Sequence, residues 1–125
     1  MAATFGELIA QLKNNPLVCG LEPVFLMING EKTFQTPTDV CSWRGSYEKG
    51  CIEPGDRPVN VRDVLKMLER AIDGRRFTAW KGGEYYFYNN TQVWFGQEGV
   101  YQEVACQVFV LDGAVMYLAV SDEKY

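Results

Sequence analysis

Histidine is absent from this 125-residue chain. Its absence removes the commonest general base and the Ser-His and Cys-His nucleophile pairs. It also removes the mixed Cys/His zinc sites. The four cysteines, Cys19, Cys41, Cys51 and Cys106, form no CxxC pair, so no familiar zinc spacing remains either. The chain contains neither the GxGxxG dinucleotide fingerprint nor a GxxxxGKS or GxxxxGKT phosphate loop. No apolar run approaches the ~20 residues needed to span a membrane. The stretch 1–12 carries Glu7 inside its apolar residues and has no basic leading region, so no secretory signal is expected. Basic residues are scarce late in the chain, with no arginine after Arg76 and only Lys81 and Lys124.

What is present is ordinary globular material: 47% hydrophobic, 22% charged, with a formal net charge of −4. The length fits one domain with a true core, and 1–125 is read as a single unit. An acidic balance excludes a broad basic face for long nucleic acid, but leaves room for a local basic pocket that takes a small anion. The cysteine pattern is that of a reduced, cytoplasmic protein with buried or free thiols. No metal, no cofactor and no membrane partner is expected.

Along the chain, Thr4 and Glu7 have capping-box spacing, and Phe5, Leu8, Ile9 and Leu12 follow on one helical stripe. Asn14-Asn15-Pro16 ends that helix. Val24–Ile28, Asn29-Gly30 and Lys32–Gln35 read as a β-hairpin. Residues 36–59 hold Pro37, Pro54, Pro58, Gly45, Gly50 and Gly55 with little periodicity, which predicts a long irregular segment. Asn60 caps a second helix with the stripe Val61, Val64, Leu65, Leu68, Ile72, and Gly74 is placed as its C′ residue. Five strands follow, over 76–80, 84–88, 91–95, 104–111 and 114–120, with turns at Gly82-Gly83, Asn89-Asn90 and Asp112-Gly113. The expected fold class is α+β, two helices packed on a mostly antiparallel sheet.

Two segments set a cation beside flat rings and glycines: Ser42-Trp43-Arg44-Gly45-Ser46-Tyr47 and Phe77-Thr78-Ala79-Trp80-Lys81-Gly82-Gly83. Rings stack on a base, and guanidinium or ammonium meets phosphate, so the pattern suits a planar anionic ligand such as a nucleotide. Each part also has a structural reading. Arg44 can cap carbonyls across a loop. Lys81-Gly82-Gly83 can be a plain hairpin turn, or an amide-and-ammonium grip on one phosphate. In Tyr85–Tyr88 alternate rings face opposite ways, Tyr85 and Phe87 on one side and Tyr86 and Tyr88 on the other, so one pair is core and the other is packing, interface or ligand wall. Cys106, between apolar strand neighbours, reads as structural, and Asp122-Glu123 as solvation. Nothing in the spacing of Glu53 and Asp56 requires acid–base work. No catalytic residue is assigned, and binding is expected rather than catalysis.

Ser-Trp-Arg-Gly-Ser-Tyr, then a capped helix of the form Val-x-Asp-Val-Leu-x-x-Leu-x-x-Ala-Ile, then Phe-Thr-x-Trp-Lys-Gly-Gly, resembles a family of small phage proteins. These are the Thoeris anti-defence sponges of the first type, and the resemblance covers roughly residues 42–95. It implies a non-enzymatic protein that binds and sequesters, without degrading it, the cyclic ADP-ribose isomer made by bacterial TIR-domain sensors. Cyclic oligonucleotides are further ligands of some members, held at separate sites. It also implies a homodimer or larger symmetric homo-oligomer in the host-cell cytoplasm. By carry-over, Arg44 and Lys81 are expected to meet phosphate, Trp43, Phe77 or Trp80 to stack, and Thr78 or the Asn90-Thr91 turn to hydrogen-bond ribose or base. The competing expectation, drawn from the acidic charge and exposed tyrosines, is an inhibitor that acts by direct contact with a host or defence protein.

Overall fold

Helix α1 (Phe5–Lys13) begins where the sequence signals it. The Thr4 hydroxyl accepts from the Glu7 amide at 3.2 Å, and the Glu7 carboxylate accepts from the Thr4 amide at 3.1 Å, closing a capping box. Helix α2 (Val61–Ala71) has the same device between Asn60 and Asp63. Its cap on the C-terminal side is Ile72, so Gly74, at φ 75°, stands two residues beyond it and not at the expected C′ position. The computed structural model describes residues 2–42, 49–79, 81–96 and 104–122. Among them the strands are β1 (Val24–Ile28), β2 (Glu31–Lys32), β3 (Thr36–Ser42), β4 (Lys49–Gly55), β5 (Phe77–Thr78), β6 (Glu84–Tyr85), β7 (Gln92–Phe95), β8 (Val104–Asp112) and β9 (Val115–Asp122).

Seven strands form one sheet in the order β2-β1-β9-β8-β7-β4-β3, and β5-β6 form a separate small hairpin. The large sheet is mostly antiparallel; β1 runs parallel to β9 and β4 parallel to β7. The fold is α+β, as its element pattern predicts. Both helices cover one face, burying Phe5, Leu8, Leu12, Val61, Val64, Leu68 and Ala71 against Val24, Leu26, Val40, Ile52, Met116 and Leu118. Strand alternation sends Phe25, Met27, Cys41, Cys51, Trp94, Ala105, Val108, Val110 and Tyr117 to the opposite face, where no described helix lies. Residues Ala2–Thr4 wedge beside β7 and β8. Ala3 donates to the Cys106 carbonyl and accepts from the Val93 amide, both at 2.8 Å.

The expectation of an irregular 36–59 segment is overturned by β3 and β4, which pair from Thr36↔Gly55 to Ser42↔Gly50. The prolines that suggested irregularity are tolerated for a positional reason. Pro37 lies on an edge strand, beside a register shift, and Pro54 lies beyond the stretch in which β4 pairs with β7, Lys49–Ile52. Neither position owes a ladder hydrogen bond on both sides. Gly50 serves a close approach, since a Cβ there would stand 2.5 Å from Phe5 Cζ. Strands expected over 76–80 and 84–88 shrink to the two-residue β5 and β6.

Candidate ligand-binding site

The residues singled out in the sequence meet different fates. Trp43, Arg44 and Trp80 lie outside the described residues. Thr78, Lys81 and Asn90 are exposed. Phe77 is only 6% exposed and belongs to the core. Its ring lies 4.4 Å from that of Phe87 and 6.2 Å from that of Tyr85, and the Arg75 guanidinium sits 4.7 Å from its centroid. Those neighbours occupy the surface that a stacking base would need, which corrects the expectation that Phe77 offers a free ring. Thr91 is 8% exposed. Its hydroxyl accepts from the Tyr88 amide at 2.9 Å, and its carbonyl accepts from the Phe5 amide at 3.1 Å, so it fastens the turn to α1. Both bonds are ones that Thr91 accepts, which gives it a structural part in the turn. The Tyr85–Tyr88 alternation holds beyond the short strand: Phe87 is buried, and Tyr86 and Tyr88 are exposed.

The topology brings these segments to one end of the sheet. The 43–48 connection leaves β3 at Ser42 and returns at Lys49, which pairs with Gln92, the residue after Thr91. Beneath this end lie Phe5 and Phe87, both within reach of the Gly50 Cβ position, and Phe77 packs on Phe87. The β5–β6 hairpin is closed by Gly82 and Gly83, both at φ 85°, with Ala79 donating to the Gly83 carbonyl at 3.0 Å. Two successive left-handed residues require glycine, and they leave Lys81 on an exposed tip. On the open face the Lys49 ammonium stands 4.5 Å from the Trp94 ring centroid, a cation–π contact with an indole whose Nε1 has no hydrogen-bond partner among the described residues.

A second place was missed by sequence reading. An open groove of about 510 Å³ runs between β3, α2 and the segments flanking α2. Arg57, Lys66, Arg70 and Arg75 line it, against the carboxylates of Asp39 and Asp63. Asp63 is engaged in the α2 capping box, and Asp39 pairs with Arg75 at 3.4 Å. Arg57 donates to the Thr38 carbonyl at 2.9 Å, which braces it across the groove rim. Lys66 and Arg70 stand one turn apart on α2, so both project to the same side. Four cations facing two engaged carboxylates give a locally positive groove on a chain whose net charge is −4. Arg75 joins the two places, since it lines the groove and also covers Phe77. The usable sequence signal is the charged stripe Asp63, Lys66 and Arg70 on α2, opposite the apolar one.

Among the described residues no group of three or more His, Cys, Asp or Glu side chains could share a metal ion. Cys106 is fully buried, donates to the Trp94 carbonyl at 3.2 Å, and burial pushes its thiol above the ordinary range. Such a thiol is a packing group, not a nucleophile. No described helix is long and apolar enough to cross a membrane. Comparison of the chain with protein-family models, curated proteins and solved structures finds no match.

Proposed function

We propose that this protein is a non-enzymatic sponge that binds and sequesters a cyclic ADP-ribose isomer, blocking the immune signal that the nucleotide carries. The observation that carries the reading is the groove of Arg57, Lys66, Arg70 and Arg75, joined through Arg75 to the aromatic end of the sheet. A cyclic dinucleotide-like ligand has two needs, cations for its diphosphate and flat apolar walls for its base. Local positive charge on an acidic body favours a compact anion over a long polymer. Capture without turnover asks for no base and no nucleophile, in keeping with a chain that has no histidine.

The test is to purify the protein from cells with an active TIR-domain sensor, denature it by heat, and identify released small molecules by mass spectrometry. An intact cyclic ADP-ribose isomer is expected. Recovery of a linear product would replace the sponge with a hydrolase, and an empty supernatant beside a working sensor would remove the ligand reading.

A second reading rests on the part of the sheet face opposite the helices that carries exposed apolar residues. Phe25, Phe34 (91% exposed) and Tyr117 form a ring cluster there, with Val108 and Val110 exposed beside it. We assign this face to protein contact, first with another copy of the chain in a symmetric homo-oligomer. Light scattering of the purified protein should give a multiple of the chain mass, and Val110→Glu should return it to the monomer. A monomeric parent chain that captures one stoichiometric foreign protein would instead favour the contact inhibitor.

A further inference from the structure

We propose that Cys41 and Cys51 form a redox-modification site, where exchange with a low-molecular-weight disulfide closes a bond across the β3–β4 hairpin. The two residues are directly opposed on antiparallel neighbours. Directly opposed Cα atoms lie about 4.5–5.5 Å apart, within the roughly 4.4–6.8 Å a disulfide spans. Both side chains lie on the sheet face opposite the two helices, in one buried cluster with Ala2, Trp94 and Ala105. The Cys51 thiol donates to the Gly96 carbonyl at 3.1 Å, which fixes its side chain on the face it shares with Cys41. Among the described residues β3 is an edge strand, bonded on one side only, so it can yield the small movement that an S–S bond requires. The other thiols have no such partner. Cys106 points into the opposite, helix-covered core, and Cys19 is exposed in the α1–β1 connection.

The pair is asymmetric in a way that orders the steps. Cys41 is half-buried and reachable, whereas Cys51 is 1% exposed. The Cys41 thiolate attacks one sulfur of the external disulfide. That S–S bond breaks, and the departing thiolate takes the electron pair and the proton Cys41 gave up. Cys51 then attacks the Cys41 sulfur of the mixed disulfide, expelling the second thiol with the Cys51 proton. In sum two protein thiols are oxidised and one external disulfide is reduced to two thiols. The hydrogen bond with Cys51, burial and the neighbouring Glu53 carboxylate hold the Cys41 thiol above its usual range, so the first attack is the slow step. Once closed, the bond ties the neck of the 43–48 connection, which carries Trp43 and Arg44.

The experiment uses the full chain with Cys19→Ser, incubated without air in excess oxidised glutathione and read by intact mass and non-reducing peptide mapping. The expected product has lost two hydrogens, carries no glutathione, links the Cys41 and Cys51 peptides, and reverts with dithiothreitol. Adding Cys51→Ser should trap one glutathione on Cys41, and adding Cys41→Ser should leave the chain unmodified. A parent chain that stays reduced, or that accumulates only the glutathione adduct, overturns the proposal. Should the Cys51 variant fail to fold, the parent chain alone decides between these outcomes. None of the readouts depends on the nucleotide ligand, so this proposal and the sponge reading fail separately.

Discussion

The groove beside α2 and the aromatic end of the sheet are both candidate ligand surfaces, and they were built in opposite ways. At the sheet end the chemistry is contiguous in sequence, and contiguity works against it. In an extended segment successive side chains alternate, so Phe77 goes to the core and Thr78 to solvent. In the groove the cations come from separate places: Arg57 after β4, Lys66 and Arg70 on α2, Arg75 after it. Helical spacing delivers Lys66 and Arg70 to one side, and the packing of α2 against β3 brings Arg57 and Arg75 to meet them. A compact motif in sequence therefore exposes about half of its members. A dispersed set can expose all of them.

The harshest way to break the comparison is Phe87→Ala. Phe87 touches Phe5, Phe77 and Tyr85 and holds the sheet end from below. Its loss should cost about 3–5 kcal/mol in urea unfolding. A cost below about 1 kcal/mol would mean that the ring cluster is not the support of that end. Next comes Arg70→Ala, which should weaken binding of the proposed nucleotide by about 1.5–3 kcal/mol in calorimetric titration, with the fold retained. Lys81→Ala, on an exposed tip, should cost under about 1 kcal/mol. The reverse order would move the phosphate contact from the groove to the sheet end.

Alkaline pH probes the sheet rather than the groove. The folded chain holds the Cys41 and Cys106 thiols above their ordinary range, Cys41 through its hydrogen bond with Cys51 and burial, Cys106 through burial. Both favour the protonated folded state, so their contribution is complete below the unfolded thiol value of about 8.5 and is lost as pH rises above it. Stability should fall by about 1.4 kcal/mol per pH unit in that range for the fully buried Cys106, and by less for the half-buried Cys41, whose charge water screens. Cys106→Ala should flatten the fall, and an unchanged slope in that variant would remove Cys106 as its source. The smallest contrast pairs the two helix caps. Asn60→Ala and Thr4→Ala should each cost about 1 kcal/mol of stability. Only Asn60→Ala, which also frees Asp63 beside Lys66 and loosens the groove wall, should change ligand affinity measurably.

Local chemistry was read without difficulty. The Thr4–Glu7 capping box, the Asn60 cap, the Asn29-Gly30 hairpin, with Met27↔Lys32 paired across it, and the β8–β9 hairpin follow from contacts within a few residues. The α+β class follows from the same periodicities. The reading failed where a residue's meaning depends on its neighbours in the sheet. Pro37 and Pro54 look like strand breakers until their edge positions are known. Phe77 looks like a ligand wall until Phe87 and Arg75 are seen to cover it. Thr91 looks like a ligand contact alone until the bonds it accepts from Tyr88 and Phe5 show it holding the turn to α1.

The sequence by itself determined the two helices and the hairpins at Asn29-Gly30 and Asp112-Gly113, because those choices are set by caps, turns and the period of the apolar residues. It also determined that His-based chemistry is unavailable. Only the tertiary structure decided that α2 lies beside β3, that four cations share one groove, and that Cys41 faces Cys51. These depend on strand order and register across separations of ten residues and more. No local propensity encodes them, since they are fixed by the burial of one common core.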